Sequence, residues 1–169
     1  MLSGNTGIRR AVLRVVSAFA LSCAAALPAD APLVPLTVCE VMRDLVSQEG
    51  KALAVLGRYS YREIGVSLDE QACDPPVTGP AQFRLVEDAK DGPKPSGSFE
   101  LDGVAALGKL AGVRKRTSLG KFRFGTPDYD RWAVVYGRVA ARRGDDAKQA
   151  PADLVFRGDG VVVFLRSDQ

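Results

Sequence analysis

Protein chemistry rests mostly on histidine, cysteine and paired carboxylates, and this 169-residue chain contains no histidine. Without an imidazole, Ser–His–Asp triads and histidine-ligated metal centres are excluded. The three cysteines are Cys23 in "ALSC", Cys39 in "TVCE" and Cys73 in "EQACDPP". A nucleophilic cysteine normally has a basic neighbour, and two cysteines are half of a tetrahedral zinc site, so neither role suits Cys39 and Cys73. In an oxidising compartment two thiols pair. The expectation is a structural Cys39–Cys73 disulfide closing a loop of about 35 residues, for which chain entropy gives up to about 4 kcal/mol. Asp128, Asp130, Asp145 and Asp146 lack the regular spacing of a calcium loop. No glycine-rich phosphate loop is present, and nothing marks a carboxylate pair or a Ser–Lys dyad. No metal and no cofactor are expected.

The oxidising compartment is itself an inference from the N-terminus. Arg9, Arg10 and Arg14 precede an uncharged, mostly apolar stretch from Val15 to Leu27, and Ala29-Asp30-Ala31 has the small-x-small form of a cleavage site. That order describes a signal peptide over residues 1–31, with the mature domain at 32–169. The apolar part is shorter than the roughly 20 residues needed to cross a bilayer; the plain alternative is a buried N-terminal helix. "RRAVLR" resembles a twin-arginine signal. "ALSC" resembles a lipobox that would lipidate Cys23, with Ala20 where a lipobox has leucine. Export to the periplasm or beyond is expected, with lipid anchoring at Cys23 as the alternative and the one route to membrane contact. Removing the leader leaves 20 basic and 19 acidic residues, a net charge of +1, so overall charge carries no argument for nucleic acid.

Two groups of side chains are candidates for binding. Arg58, Tyr59, Tyr61, Arg62 and Arg84, with Asp145, Asp146 and Lys148 from a later loop, place aromatics beside arginines, a combination that stacks on rings and contacts anionic groups. Lys109, Arg114, Lys115, Arg116, Lys121 and Arg123 form a second cluster, with no acidic residue from Gly103 to Pro127. Such a basic run suits a polyanion. The alternatives are tyrosines that cover the fold, arginines in solvent and a merely solvated basic edge.

The elements that must position these residues can be read from periodicity. Thr37 and Glu40 form a capping box, and Val38, Val41, Met42, Leu45 and Val46 follow at helical spacing to Gly50, predicting a helix over 37–49. Lys51 to Tyr61 and Gly65 to Glu70 are strands joined by a turn at "REIG", and "DPPVTGP" is a loop. Ala81 to Asp88 is a strand with Phe83 and Leu85 opposite Gln82 and Arg84. Val104, Leu107 and Leu110 suggest a helix from Gly103 to Val113, weakened by Gly108 and Gly112. Leu119 to Phe124 is a short strand candidate, and Gly125 to Asp130 a turn. Arg131 to Arg142 is the strongest strand, with Trp132, Val134 and Tyr136 opposite Ala133, Val135 and Val139. "DLVFR" and "VVVFL" read as two final strands joined by a turn at "GDG".

Taken in order, "VLGRYSY", "VSLDEQAC", "QFRLVED", "WAVVYGRVAAR" and the terminal pair resemble the OB-fold, a small Greek-key barrel with a helix between its third and fourth strands. The likeness spans residues 51–166 and rests on architecture, with no specific motif. The "CEV…G…VLGRY…L…C" layout is also similar to small exported bacterial proteins with an OB-like barrel. The predicted fold is therefore mainly β with two short helices, an OB-like barrel preceded by the capped helix, with a small β-sandwich as the alternative. The resemblance implies a ligand face around the second and third barrel strands, where the Arg58 group would lie. A non-enzymatic binding or structural module of the bacterial envelope is expected, contacting a protein or an anionic polymer. Export argues against nucleic acid. A carboxylate-based hydrolase and an accessory subunit of an envelope complex are the alternatives.

Overall fold

The computed structural model of the chain describes residues 32–62, 65–95, 100–117, 119, 129–158 and 162–165. Residues 1–31, where a leader is expected, and Cys23 within them lie outside this description, as do Lys121, Arg123, Asp128 and, apart from Leu119, the strand expected over 119–124.

A two-residue strand, β1 (Leu36–Thr37), leads into the first helix, α1 (Val38–Arg43). Its start is built as the sequence predicts. The Thr37 hydroxyl accepts the Glu40 amide at 3.1 Å, and the Glu40 carboxylate accepts the Thr37 amide at 2.7 Å. The helix expected over 37–49 is not continuous. It breaks at Asp44 (φ −131°, ψ 44°) and resumes as α2 (Leu45–Gln48). Aspartate competes poorly for helical geometry, and beyond the break Val46 turns outward, 88% exposed, rather than extending the apolar stripe. Gly50, at φ 79°, ends the segment and donates its amide to Val139.

Five strands then close into a barrel: β2 (Ala52–Arg62), β3 (Gly65–Asp69), β4 (Gln82–Glu87), β5 (Tyr129–Ala141) and β6 (Ala152–Phe156). β2 pairs antiparallel with β3, β3 with β4, and β4 runs parallel to β6. β6 pairs antiparallel with β5, which returns to β2 from Ala52↔Arg138 to Tyr61↔Tyr129. With α3 (Gly103–Arg114) between β4 and β5, this order is compatible with an OB-like architecture. Closure sets aside the sandwich alternative. One further strand, β7 (Val162–Phe164), pairs with β5 at Ala133–Val135, just beyond the stretch Arg138–Ala141 taken by β6. The last two strands therefore do not form the expected hairpin. β5 is 13 residues long and offers both of them a place on the same edge. Tyr129 and Asp130, expected in a turn, already belong to it.

Strand alternation sorts the side chains into two cores. Val55, Leu68, Phe83, Leu85, Val135, Val139, Leu154 and Phe156 fill the barrel, and Val38 and Val41 of α1 join them. Gly57 permits that approach, since a Cβ there would lie 2.8 Å from Val38 Cγ2 and 2.9 Å from Leu68 Cγ. The disulfide Cys39–Cys73, with Cα atoms 5.4 Å apart, ties this helix to the loop after β3. Outside the barrel, Ala106, Leu110 and Val113 of α3 pack on Ala54, Leu56, Trp132 and Val134. The stripe expected from Val104, Leu107 and Leu110 is thus turned. Only Leu110 faces the sheet, and Val104 is 85% exposed. The helix is small or apolar on both sides, so spacing alone does not choose the buried face. Among the described residues no helix is long and apolar enough to cross a membrane.

Candidate functional site

Residues opposite one another on neighbouring strands share a face, and on the outer face of the barrel this places polar groups in rows. Arg58 stands beside Asp69, and Asp69 beside Gln82. In the next row Ser60 stands beside Ser67, Ser67 beside Arg84, and Arg84 beside Asp153. Arg142, one residue beyond β5, reaches the same area from the start of the loop that carries a 3₁₀ turn (Gly144–Lys148). Arg58, Ser67, Asp69, Gln82 and Arg84 of these rows, with Arg142, the hairpin end at Gly65 and Val66, and Gln149 and Ala150 of that loop, line an open groove of about 420 Å³.

Each arginine is held by carboxylates. Arg58 Nε lies 2.7 Å from Asp69 and 3.9 Å from Asp130, whose carboxylate also accepts the buried Ser60 hydroxyl. Arg84 donates from Nε and Nη2 to the two oxygens of Asp153 at 2.9 and 2.8 Å, a parallel fork. That hydrogen-bonded fork holds the Arg84 guanidinium above its ordinary pKa. Arg142 Nε lies 3.5 Å from Asp153 and its Nη2 3.4 Å from Asp146, and its main-chain amide donates to Pro151, which closes the loop. A guanidinium carries five N–H donors, so Arg84, with half its side chain exposed, retains donors beyond the two that Asp153 takes. The groove lining holds three guanidiniums and one carboxylate, Asp69, with Asp130, Asp146 and Asp153 paired to the same arginines.

The expected face is only partly assembled. Arg58 and Arg84 reach the groove, while Tyr59, adjacent to Arg58 in the chain, turns to the other side of β2 and packs against the barrel core. Tyr61 has the same parity as Tyr59 and is 45% exposed, away from the groove wall. The side chain of Arg62 lies outside the described residues. Asp145 and Lys148 pair with each other in solvent, and Asp146 is a partner of Arg142. Arg142, Ser67, Asp69, Gln82 and Gln149 were missed. The signal for most of them was present, since alternation in β4 already put Gln82 and Arg84 on its polar side and does the same for Ser67 and Asp69 in β3.

Of the second basic cluster, two described members are paired with carboxylates. Lys109 pairs with Glu40 of α1 at 2.6 Å. Arg116 bonds the buried carboxylate of Glu70 at 3.0 Å and the carbonyl of Ala72 at 3.2 Å. Glu70 in turn accepts the amide of Cys39 at 3.1 Å, so Arg116 belongs to the same knot as the disulfide. Arg114 and Lys115 are exposed. No group of three or more potential metal ligands occurs among the described residues. Compared with known protein families, curated proteins and solved structures, the chain matches none.

Proposed function

We propose that this chain is a non-enzymatic binding module of the bacterial cell envelope, and that its groove takes acidic groups of an anionic polymer. The observation that carries the reading is the set of three guanidiniums, Arg58, Arg84 and Arg142, around an open groove on the outer face of the barrel. The Cys39–Cys73 disulfide is compatible with export to an oxidising compartment, where acidic glycans and other polyanions are at hand and nucleic acid is scarce. A protein partner would meet the same donors through acidic side chains. The hydrolase alternative gains no support here, because Asp69, the carboxylate of the groove wall, is held by Arg58.

The test is calorimetric titration of the purified protein with an acidic oligosaccharide and with short-chain polyphosphate at low ionic strength. Saturable binding that weakens with added salt is expected. Arg84→Ala and Arg142→Ala each lower affinity about tenfold, the equivalent of about 1.4 kcal/mol. No saturable binding of either polymer at low salt, or affinity untouched by both substitutions, overturns the reading.

A further inference from the structure

Two aspartates meet Arg142 in different ways. Asp153 stands on β6 with its side chain 17% exposed. Nε and Nη2 of Arg84 take its two oxygens at 2.9 and 2.8 Å, and one of those oxygens lies 3.5 Å from Arg142 Nε. Asp153 is thus shared by two guanidiniums and fixed by the pairing of β6 with β4 and β5. Asp146 stands on the 3₁₀ turn with its side chain 79% exposed. Its ion pair among the described residues is with Arg142 Nη2, at 3.4 Å. A pair that open to solvent is weak and readily exchanged.

The segment that carries Asp146 is anchored at its base and not at its tip. The Arg142 amide donates to Pro151 at 2.8 Å, and Ala150 is buried. Gly144–Lys148 between them contains no buried residue, and its start at Arg143 has no side-chain cap. A turn with so few packed contacts opens at little cost to the rest of the fold. Asp145 and Lys148 pair with each other at 2.7 Å, which leaves Asp146 to Arg142. Arg142 itself is loosely held. Its Nη1 donates to the Ala150 carbonyl at 3.5 Å, and its two carboxylate contacts lie at 3.4 and 3.5 Å. Strong guanidinium–carboxylate hydrogen bonds run at about 2.7–2.9 Å, as at Arg84, so Arg142 has bonding capacity that its own chain leaves unused.

We infer that Asp146 is an internal competitor for the ligand of the groove: its carboxylate holds Arg142 in the free protein and is displaced by an entering acidic group, while Asp153 stays as the brace of Arg84 and Arg142. This role presupposes the anion-binding reading of the groove and adds its regulation. Both aspartates carry the same charge and touch the same guanidinium, so overall charge gives their removal the same sign. Their settings give opposite signs. Loss of the Asp146 carboxylate frees donors of Arg142 that the ligand would otherwise have to win. Loss of the Asp153 carboxylate releases two long side chains, and the ligand must then order them itself.

Calorimetric titration with short-chain polyphosphate at one low ionic strength tests the proposal. Asp146→Asn binds about fourfold tighter, within what an exposed ion pair is worth. Asp145→Asn makes the same charge change one residue away and alters affinity by less than about 1.5-fold, the general effect of charge. Asp153→Asn binds about fivefold weaker although it too removes a negative charge. In an Arg142→Ala background the gain from Asp146→Asn disappears, because the two substitutions act on one contact. Equal gains from Asp145→Asn and Asp146→Asn, or a gain that persists without Arg142, overturn the competitor role and leave the anion-binding reading standing. Tighter binding by Asp153→Asn overturns the brace. The comparison of Asp145 with Asp146 decides the competitor role even where Asp153→Asn fails to fold. An absence of saturable binding in the parent and in Asp146→Asn ends both the anion-binding reading and the role built on it.

Discussion

The groove and the α3 cluster both set cations against carboxylates, and they differ in where along the chain those cations come from. Along the chain, α3 and the residues after it are the denser: Lys109, Arg114, Lys115 and Arg116 fall within eight consecutive positions. In space two of those four cations face carboxylates from remote parts of the sequence, Lys109 on Glu40 and Arg116 on Glu70. The groove draws its arginines from β2, β4 and the end of β5, positions separated by 26 and 58 residues, and brings them to one wall. Charge density along a sequence is therefore a poor guide to charge density on a surface when the strands that gather the residues are not neighbours in the chain.

The difference is sharpest in what each cation supports. Arg116 is itself 36% exposed but faces a carboxylate with no exposed side-chain surface, and removing it leaves that buried charge with the Cys39 amide and without its cation. Arg116→Ala is expected to destabilise the protein by about 2 kcal/mol, read as a fall in melting temperature of roughly 6 °C in thermal unfolding. A melting temperature within experimental error of the parent would place Arg116 with the solvated cations instead. Lys109 is the weaker case. Its pair with Glu40 is partly open, at 26% and 38% exposure, where solvent screens the attraction. Lys109→Ala should cost at most about 0.5 kcal/mol by chemical denaturation, and a loss as large as that of Arg116→Ala would erase the distinction between the two.

What could be read in the sequence follows from how local each determinant is. The capping box at Thr37 and Glu40 needs three consecutive peptide units, and it forms as expected. The strand order needs only the alternation of apolar residues and the placement of turns, and the barrel follows it. The Cys39–Cys73 pairing came from eliminating other cysteine chemistry, and the bridge is present. Where tertiary contacts decide, local patterns fell short. Helix α1 breaks at Asp44, and although Met42 and Leu45 still pack against the barrel core, Val46 beyond the break faces solvent. The buried face of α3 is chosen by Trp132 and Val134 of the sheet, which no spacing within the helix reveals. Tyr59 and Arg58 are a different kind of miss. Neighbours in a strand point to opposite faces, so the period that located β2 already separated the aromatic from the guanidinium. The partners of the basic cluster, Glu40 and Glu70, lie 69 and 46 residues from Lys109 and Arg116, beyond the reach of any local motif.

The decisive measurement is a nuclear magnetic resonance titration that follows the arginine Nε–H and lysine Nζ side-chain signals as the acidic oligosaccharide is added at low salt. Saturable shifts are predicted at Arg84 and Arg142, smaller ones at Arg58, and none beyond the general salt response at Lys109 and Lys115. Shifts concentrated on Lys109 and Lys115, with the groove arginines unmoved, would contradict the assignment of the binding surface to the barrel face.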